Sequence, residues 1–209
     1  MEKKMENNSK RNEVKASQLK DLEYKAKQCR NCHLRSGCSG VVFGEGNIDS
    51  PVMFVGEGPG QTEDELGRPF VGKAGQLLDK ILAAAEMPRE TVYITNIVKC
   101  RPPGNRTPNM EEMQACLPWL RQQFAILRPR FMVLLGLAAT HGILDPGLKM
   151  GQSHGHWFER GGVLILPTYH PAAILRNPSL RRPAWEDFQL ISRTVKEYLA
   201  SSSAWPQRP

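Results

Sequence analysis

No stretch of the 209-residue chain approaches the ~20 consecutive apolar residues that a membrane-spanning helix requires. The lysines near the N-terminus are not followed by an apolar run, so no secretory signal is expected, and Glu2, Glu6 and Glu13 are out of place in a transit peptide. There is no internal repeat. The bias of a disordered or fibrous chain is also missing, with 40% of residues hydrophobic and 23% charged. These absences leave a soluble, cytoplasmic, single-domain protein with enough chain to bury a core, and no membrane partner. Five cysteines in such a chain point to metal or redox chemistry before disulfides.

Charge is in modest excess, 28 Lys and Arg against 21 Asp and Glu, a net of +7. Residues 1–30 hold nine of the basic and five of the acidic groups, so +4 of the excess lies there and +3 in the remainder. A basic total admits a polyanionic partner but does not by itself establish nucleic-acid binding.

Residues 1–15 are polar and expected to form a flexible basic tail. Residues 16–28 place Leu19, Leu22 and Ala26 at helical spacing and predict a short amphipathic helix ending at Cys29. Residues 41–43 and 52–55 read as strands closed by glycine, 92–95 as a β-branched and aromatic strand, 131–135 as a strand covered on both faces, and 163–166 as another. Helices are expected over 73–85, 109–127, 137–144 and 183–199, and a C-terminal tail over 201–209. Asn109 is a candidate cap for the second of these helices, with Glu111 and Glu112 in the first turn, where the helix dipole favours them. The alternation predicts an α/β fold over residues 16–200, with a central, mostly parallel four-stranded sheet and helices on both faces. The crevice of such a sheet lies at the carboxyl ends of its strands, where the loops from Gly56, Asn96 and Pro167 begin.

Cys29 and Cys32 are separated by two residues, 67 residues intervene before Cys100, and Cys116 follows after a further 15. Such a pair lets two thiolates share one centre, and Cys100 and Cys116 can close it from the ends of a loop. Four thiolates suit a structural zinc or an iron–sulfur cluster, and ligand type alone does not separate the two. Cys38 reads as a free thiol, or as a substitute ligand because it lies close to Cys32.

Gly56-Glu57-Gly58-Pro59-Gly60 follows a strand, as a dinucleotide fingerprint does. Here, however, Pro59 lacks an amide donor, the glycines alternate singly, and Glu57, Glu63, Asp64 and Glu65 would repel phosphate. The composition suits a loop whose amides approach a neutral ring, with a carboxylate near a reacting carbon.

Together with Gly67-Arg68-Pro69-Phe70-Val71-Gly72-Lys73-Ala74-Gly75, Thr95-Asn96-Ile97-Val98-Lys99-Cys100-Arg101-Pro102-Pro103 and His170-Pro171-Ala172, this loop resembles the corresponding motifs of the family 4 uracil-DNA glycosylases, the iron–sulfur members of their superfamily. The resemblance runs from Cys29 to Leu199. It implies a three-layer α/β/α sandwich, uracil-containing DNA as partner, and hydrolysis of the bond between uracil and deoxyribose at the start of base excision repair. It also implies a 4Fe-4S cluster on Cys29, Cys32, Cys100 and Cys116, which favours the cluster over zinc. A monomer is expected.

The chemistry of base excision agrees with what the resemblance implies. The enzyme must hold an extruded base in a closed pocket. Phe70 offers a stacking face. The Asn96 amide can accept from uracil N3–H and donate to O4, a pattern that cytosine inverts. His170 is placed by its motif to stabilise charge growing on O2, with help from backbone amides around Gly56 and Gly58. Glu57 is the candidate to position water and offset charge on the sugar, and Glu63 to line the pocket near uracil C5. Lys99, Arg101, Arg106, Arg176, Arg181 and Arg182 are candidate phosphate contacts, and Ile174 or Leu175 a candidate wedge. The other histidines, His33, His141, His154 and His156, are expected to be surface or structural residues. Two further readings are a non-catalytic or covalently trapping uracil binder and a zinc-stapled nucleic-acid-binding module with no chemistry. The trapping branch carries a histidine-bearing insert after the Asn motif, and residues 101–115 contain no histidine.

Overall fold

The computed structural model describes residues 2–201, so most of the expected C-terminal tail, 202–209, lies outside the described residues. In chain order the helices and strands are α1 (Glu2–Lys27), β1 (Glu45–Gly46), β2 (Val52–Gly56), α2 (Gln61–Leu66), α3 (Lys73–Ala84), β3 (Tyr93–Asn96), α4 (Met110–Leu127) and β4 (Phe131–Leu135). They continue with α5 (Leu137–Ile143), α6 (Met150–Ser153), β5 (Phe158–Arg160), β6 (Val163–Thr168), α7 (Pro171–Arg176) and α8 (Arg181–Ser201).

The sheet has six strands in the order β1-β3-β2-β4-β6-β5. Its four central strands, β3, β2, β4 and β6, run parallel and are the four expected from the alternation of elements. The two short edge strands are antiparallel additions beyond the expected four. One expected strand, residues 41–43, is not one. Val41, Val42 and Phe43 are buried, but the Val42 amide donates to the Lys99 carbonyl at 2.8 Å and the Phe43 carbonyl accepts from the Thr95 and Gln123 side chains. Their apolar side chains earn burial without a ladder.

Alternation along the strands builds two cores. Val52 and Phe54 of β2, with Phe131, Val133 and Leu135 of β4, face Leu78 and Leu82 of α3 and Phe188 and Ile191 of α8. Met53 and Val55, with Met132 and Leu134, face Leu19 and Leu22 of α1 and Met113 and Leu120 of α4. Helices therefore cover both faces of the sheet, giving three layers. Phe54 and Phe188 stack with ring centroids 6.0 Å apart, and each buried side chain of this size contributes roughly 1.5–3 kcal/mol.

Most of the flexible tail expected over residues 1–15 is instead helix: the helix expected from residue 16 begins at Glu2, and nothing from there to Lys27 is Pro or Gly. Lys15 joins Asp49 at 2.8 Å, near the amino end of β2. α4 starts with the expected cap, now a full capping box: Asn109 Oδ1 accepts the Glu112 amide and Glu112 Oε2 accepts the Asn109 amide, each at 2.8 Å. No helix among the described residues is long and apolar enough to cross a membrane.

Candidate active site

The carboxyl ends of the four parallel strands open into a cleft of about 750 Å³. It lies where chain order reverses, since β2 is followed by β3 on one side and by β4 on the other. Glu57, Gly58, Glu63, Phe70, Asn96 and His170 line it together, and Gly56 underlies the group.

Asn96 ends β3 opposite Gly56 and is 1% exposed, and its Oδ1 has no hydrogen-bond partner. An orphaned buried acceptor costs about 1–3 kcal/mol, so this atom is held ready for a donor that the protein does not supply. A Cβ on Gly56 would stand 2.4 Å from Asn96 Oδ1 and 2.4 Å from Phe70 Cζ. Only glycine lets the amide and the ring come this close.

Phe70 is buried and sits at φ +52°, a left-handed conformation that non-glycine residues seldom adopt. The surroundings hold it there. Glu63 Oε1 accepts the amides of Val71 and Gly72 at 2.9 and 2.7 Å, and Arg89 donates to the carbonyls of Phe70 and Pro69. Arg89 also pairs with Asp79 and Glu45. Gly75 is required here too, because a Cβ there would lie 1.9 Å from Phe70 O. Arg89 was not singled out in the sequence: its partners lie ten to 44 residues away, and no local pattern marks them.

His170 follows β6 and caps α7, its Nδ1 accepting the Ala172 amide at 3.1 Å. Its ring lies 5.6 Å from that of Phe70, tilted by 32°. Burial, and to a lesser degree Arg176, lowers its pKa to about 4 while Glu63 opposes, so the ring is neutral near pH 7. Glu57 is shifted the other way, raised by burial against a hydrogen bond from Thr107 and the charge of Arg176. Thr107, Leu137, Met150 and Tyr169 also line the cleft; they lie outside the recognised motifs, and only the nearness of Tyr169 to His170 could have signalled one of them.

Cys29, Cys32, Cys100 and Cys116 line one small apolar cavity between the end of α1, the loop after β3 and α4. Donors point at its sulfurs: Trp119 Nε1 and the Asn31 amide at Cys29 Sγ, at 3.2 and 3.5 Å, and the Lys99 amide at Cys116 Sγ, at 3.2 Å. Burial raises the thiol pKa values of Cys32, Cys100 and Cys116, the last to about 11, so these thiols are protonated near pH 7 and any metal they bind must displace protons. Cys38 is close enough to Cys100 to hydrogen-bond it but does not line the cavity.

The segment bearing Cys29 and Cys32 is fastened to the cleft at two points. Asp64, beside Glu63, accepts the amides of Ser39 and Gly40. Glu112 accepts from Arg106 on the cleft wall at 2.6 and 2.8 Å, and pairs with His33 at 2.7 Å.

Two expectations are corrected. Lys99 is not a phosphate contact: it is 1% exposed, and its Nζ is spent on Thr95 Oγ1, the Asn96 carbonyl and Gln123 Oε1. Burial lowers its pKa, while the three acceptors around Nζ favour the charged form. Ile174 is not available as a wedge, since it is 2% exposed and packed inside, whereas Leu175 is 47% exposed. Arg106 and Arg176 line the cleft, and Arg181 and Arg182 are exposed, the latter paired with Glu186. Arg101 donates to Asn105. The other histidines are held by structural bonds, as with His154 to Asp187 and His141 to the Leu148 carbonyl.

Residues 43–189 match the model of the Uracil DNA glycosylase superfamily. The chain is 45% identical over 181 residues to a type-4 uracil-DNA glycosylase of Pyrobaculum aerophilum and 44% identical over 180 residues to one of Thermotoga maritima, covering 83% of this chain and 92% of each relative. A type-5 uracil-DNA glycosylase of P. aerophilum is 34% identical over 146 residues, 62% of this chain and 64% of that one. With its cleft at the strand ends, the superfamily match over residues 43–189 and two type-4 relatives covering 83% of it, the chain belongs to the uracil-DNA glycosylase superfamily and, within it, to the type-4 family.

Proposed function

We propose that the chain excises uracil from DNA by hydrolysing its N-glycosidic bond, in DNA repair, with Asn96 reading the base. The observation that carries this reading is the unpartnered Oδ1 of Asn96, buried in the cleft beside the Phe70 ring. Extruded uracil stacks on Phe70 and gives its N3–H to that oxygen. Cytosine would set its N3 lone pair against the same oxygen and leave both unsatisfied, which is how a hydrogen-bonding site rejects a near-isostere.

Because the Ala172 amide occupies Nδ1, the neutral His170 ring carries its proton on Nε2 and donates it to uracil O2. That contact strengthens as the N1–C1′ bond breaks and the bonding pair leaves with the base. Water adds to C1′ and its proton passes to Glu57, whose carboxylate also offsets the oxocarbenium charge. Glu63 has one oxygen committed to the Val71 and Gly72 amides, so its part is to hold Phe70 under the base. Arg176, Arg181 and Arg182 meet phosphates, and Leu175 fills the vacated stack.

Cys29, Cys32, Cys100 and Cys116 would hold an iron–sulfur cluster. Four thiols around a shared apolar cavity with N–H donors aimed at the sulfurs support that reading, and a bound cluster would supply a cross-link between α1, the loop after β3 and α4.

A uracil-bearing oligonucleotide treated with the protein and then with alkali is expected to break at the uracil, while the matching cytosine and thymine oligonucleotides stay intact. Binding without cleavage would overturn the activity.

A further inference from the structure

We propose that Lys99 is a positioning residue that fixes the peptide of Asn96, and through it the aim of the amide that reads the base; the inference rests on the base-reading role given to Asn96 above. Lys99 Nζ meets three acceptors, Thr95 Oγ1 at 2.5 Å, Gln123 Oε1 at 2.6 Å and the Asn96 carbonyl at 2.9 Å, which match the three N–H groups of an ammonium. The acceptors are themselves fixed. The Thr95 hydroxyl donates to the Phe43 carbonyl at 2.8 Å, and the Gln123 amide donates to the same carbonyl at 2.9 Å and to the Tyr93 hydroxyl at 3.2 Å. Lys99, Thr95, Asn96 and Gln123 are each at most 1% exposed.

No carboxylate stands among the partners of Lys99 Nζ. A buried ammonium without one is costly, and an apolar side chain would fill the same space more cheaply if packing were all that mattered. What the lysine provides is a grip on one peptide group. β3 ends at Asn96, so its carbonyl has no further strand to bond, while the Ile97 amide donates to Gly56 O at 2.8 Å. Lys99 holds the carbonyl side of the peptide whose amide side Gly56 holds. The Asn96 side chain needs that grip because its own Oδ1 makes no bond before the base arrives. Lys99 hydrogen-bonds Cys116 through its main-chain amide, a bond that side-chain substitution leaves in place, and the visible absorbance of Lys99→Met reports whether the thiol centre is kept.

The test compares Lys99→Met, Thr95→Val and their double variant with wild type and with Asn96→Ala. It measures turnover on a uracil oligonucleotide, inhibition by free uracil, affinity for an abasic-site oligonucleotide, visible absorbance and Tm. Lys99→Met is expected to lower kcat and weaken uracil inhibition by about tenfold or more, while abasic-site affinity stays within about twofold. Thr95→Val is expected to move both in the same direction by a smaller factor, and to add little once Lys99 is gone, as members of one network do. Folded Lys99→Met with a lower Tm but wild-type kcat and uracil inhibition would overturn the proposal. If Lys99→Met does not fold, Thr95→Val with wild-type values overturns it. Should Asn96→Ala keep wild-type uracil inhibition, the base-reading role falls and the proposal with it; should Asn96→Ala lose inhibition while Lys99→Met keeps it, only the positioning role falls.

Discussion

The main-chain N–H of Ala172 donates to His170 Nδ1 at 3.1 Å, so the residue that caps α7 is also the residue whose proton must reside on Nε2. One hydrogen bond thereby selects a tautomer, orients a ring and caps a helix.

His170 is expected to stay neutral across the physiological range. Its folded pKa is about 4, pulled down by burial from 6.5. A folded value below the unfolded one makes its stabilising contribution complete above the unfolded pKa, and that contribution drains away as pH falls towards 4. An NMR titration that finds this ring protonating near about 6.5 would contradict the assignment.

Gly56→Ala is expected to abolish most uracil excision while leaving the fold standing. The new methyl would meet Asn96 Oδ1 and the Phe70 ring at 2.4 Å, forcing apart the two groups that hold the base. Overpacking of this kind costs about 1–3 kcal/mol of stability, so Tm should drop by roughly 2–12 °C while turnover collapses. Normal turnover with the substitution in place would show that the contact is dispensable.

Cys29→Ser is expected to lose the broad visible absorbance near ~400 nm and the bound iron, whereas Cys38→Ser keeps both. The difference follows from Cys29 lining the thiol cavity and Cys38 standing outside it. Iron lost equally from both variants, or zinc found in place of iron, would refute the ligand set.

Ile174→Ala and Leu175→Ala are expected to part ways. Removing the buried Ile174 should cost about 2–5 kcal/mol and lower Tm. Removing the exposed Leu175 should leave Tm unchanged and reduce excision from duplex DNA more than from single strands, where no stack has to be refilled. Equal behaviour on both substrates would remove Leu175 from the wedge role.

Legibility in the sequence followed locality. β2 and β4 were legible because each is a continuous apolar run, and the start of α4 because Asn109 and Glu112 stand three residues apart. The glycine, Asn96 and His170 motifs indicated which residues would line one cleft. Lys99 was misread because, between Val98 and Cys100, nothing local separates a buried lysine from a phosphate contact; its partner Gln123 lies 24 residues on. Residues 41–43 look like a strand because burial alone gives them a strand's composition, while their hydrogen bonds go to a loop carbonyl and two side chains. A six-residue helix such as α7 is too short for periodicity to say which of Ile174 and Leu175 faces inward.

Asp64 and Glu112 carry a consequence for how the molecule opens. Asp64 receives the Ser39 and Gly40 amides, and Glu112 gathers the Asn109 amide, Arg106 and His33. The segment with the first two thiols cannot lift away without also unfastening the glycine-loop helix and the first turn of α4. These parts therefore form one cooperative unit, and the amide protons of Ser39, Gly40 and Glu112 are expected to exchange with solvent through a single shared opening.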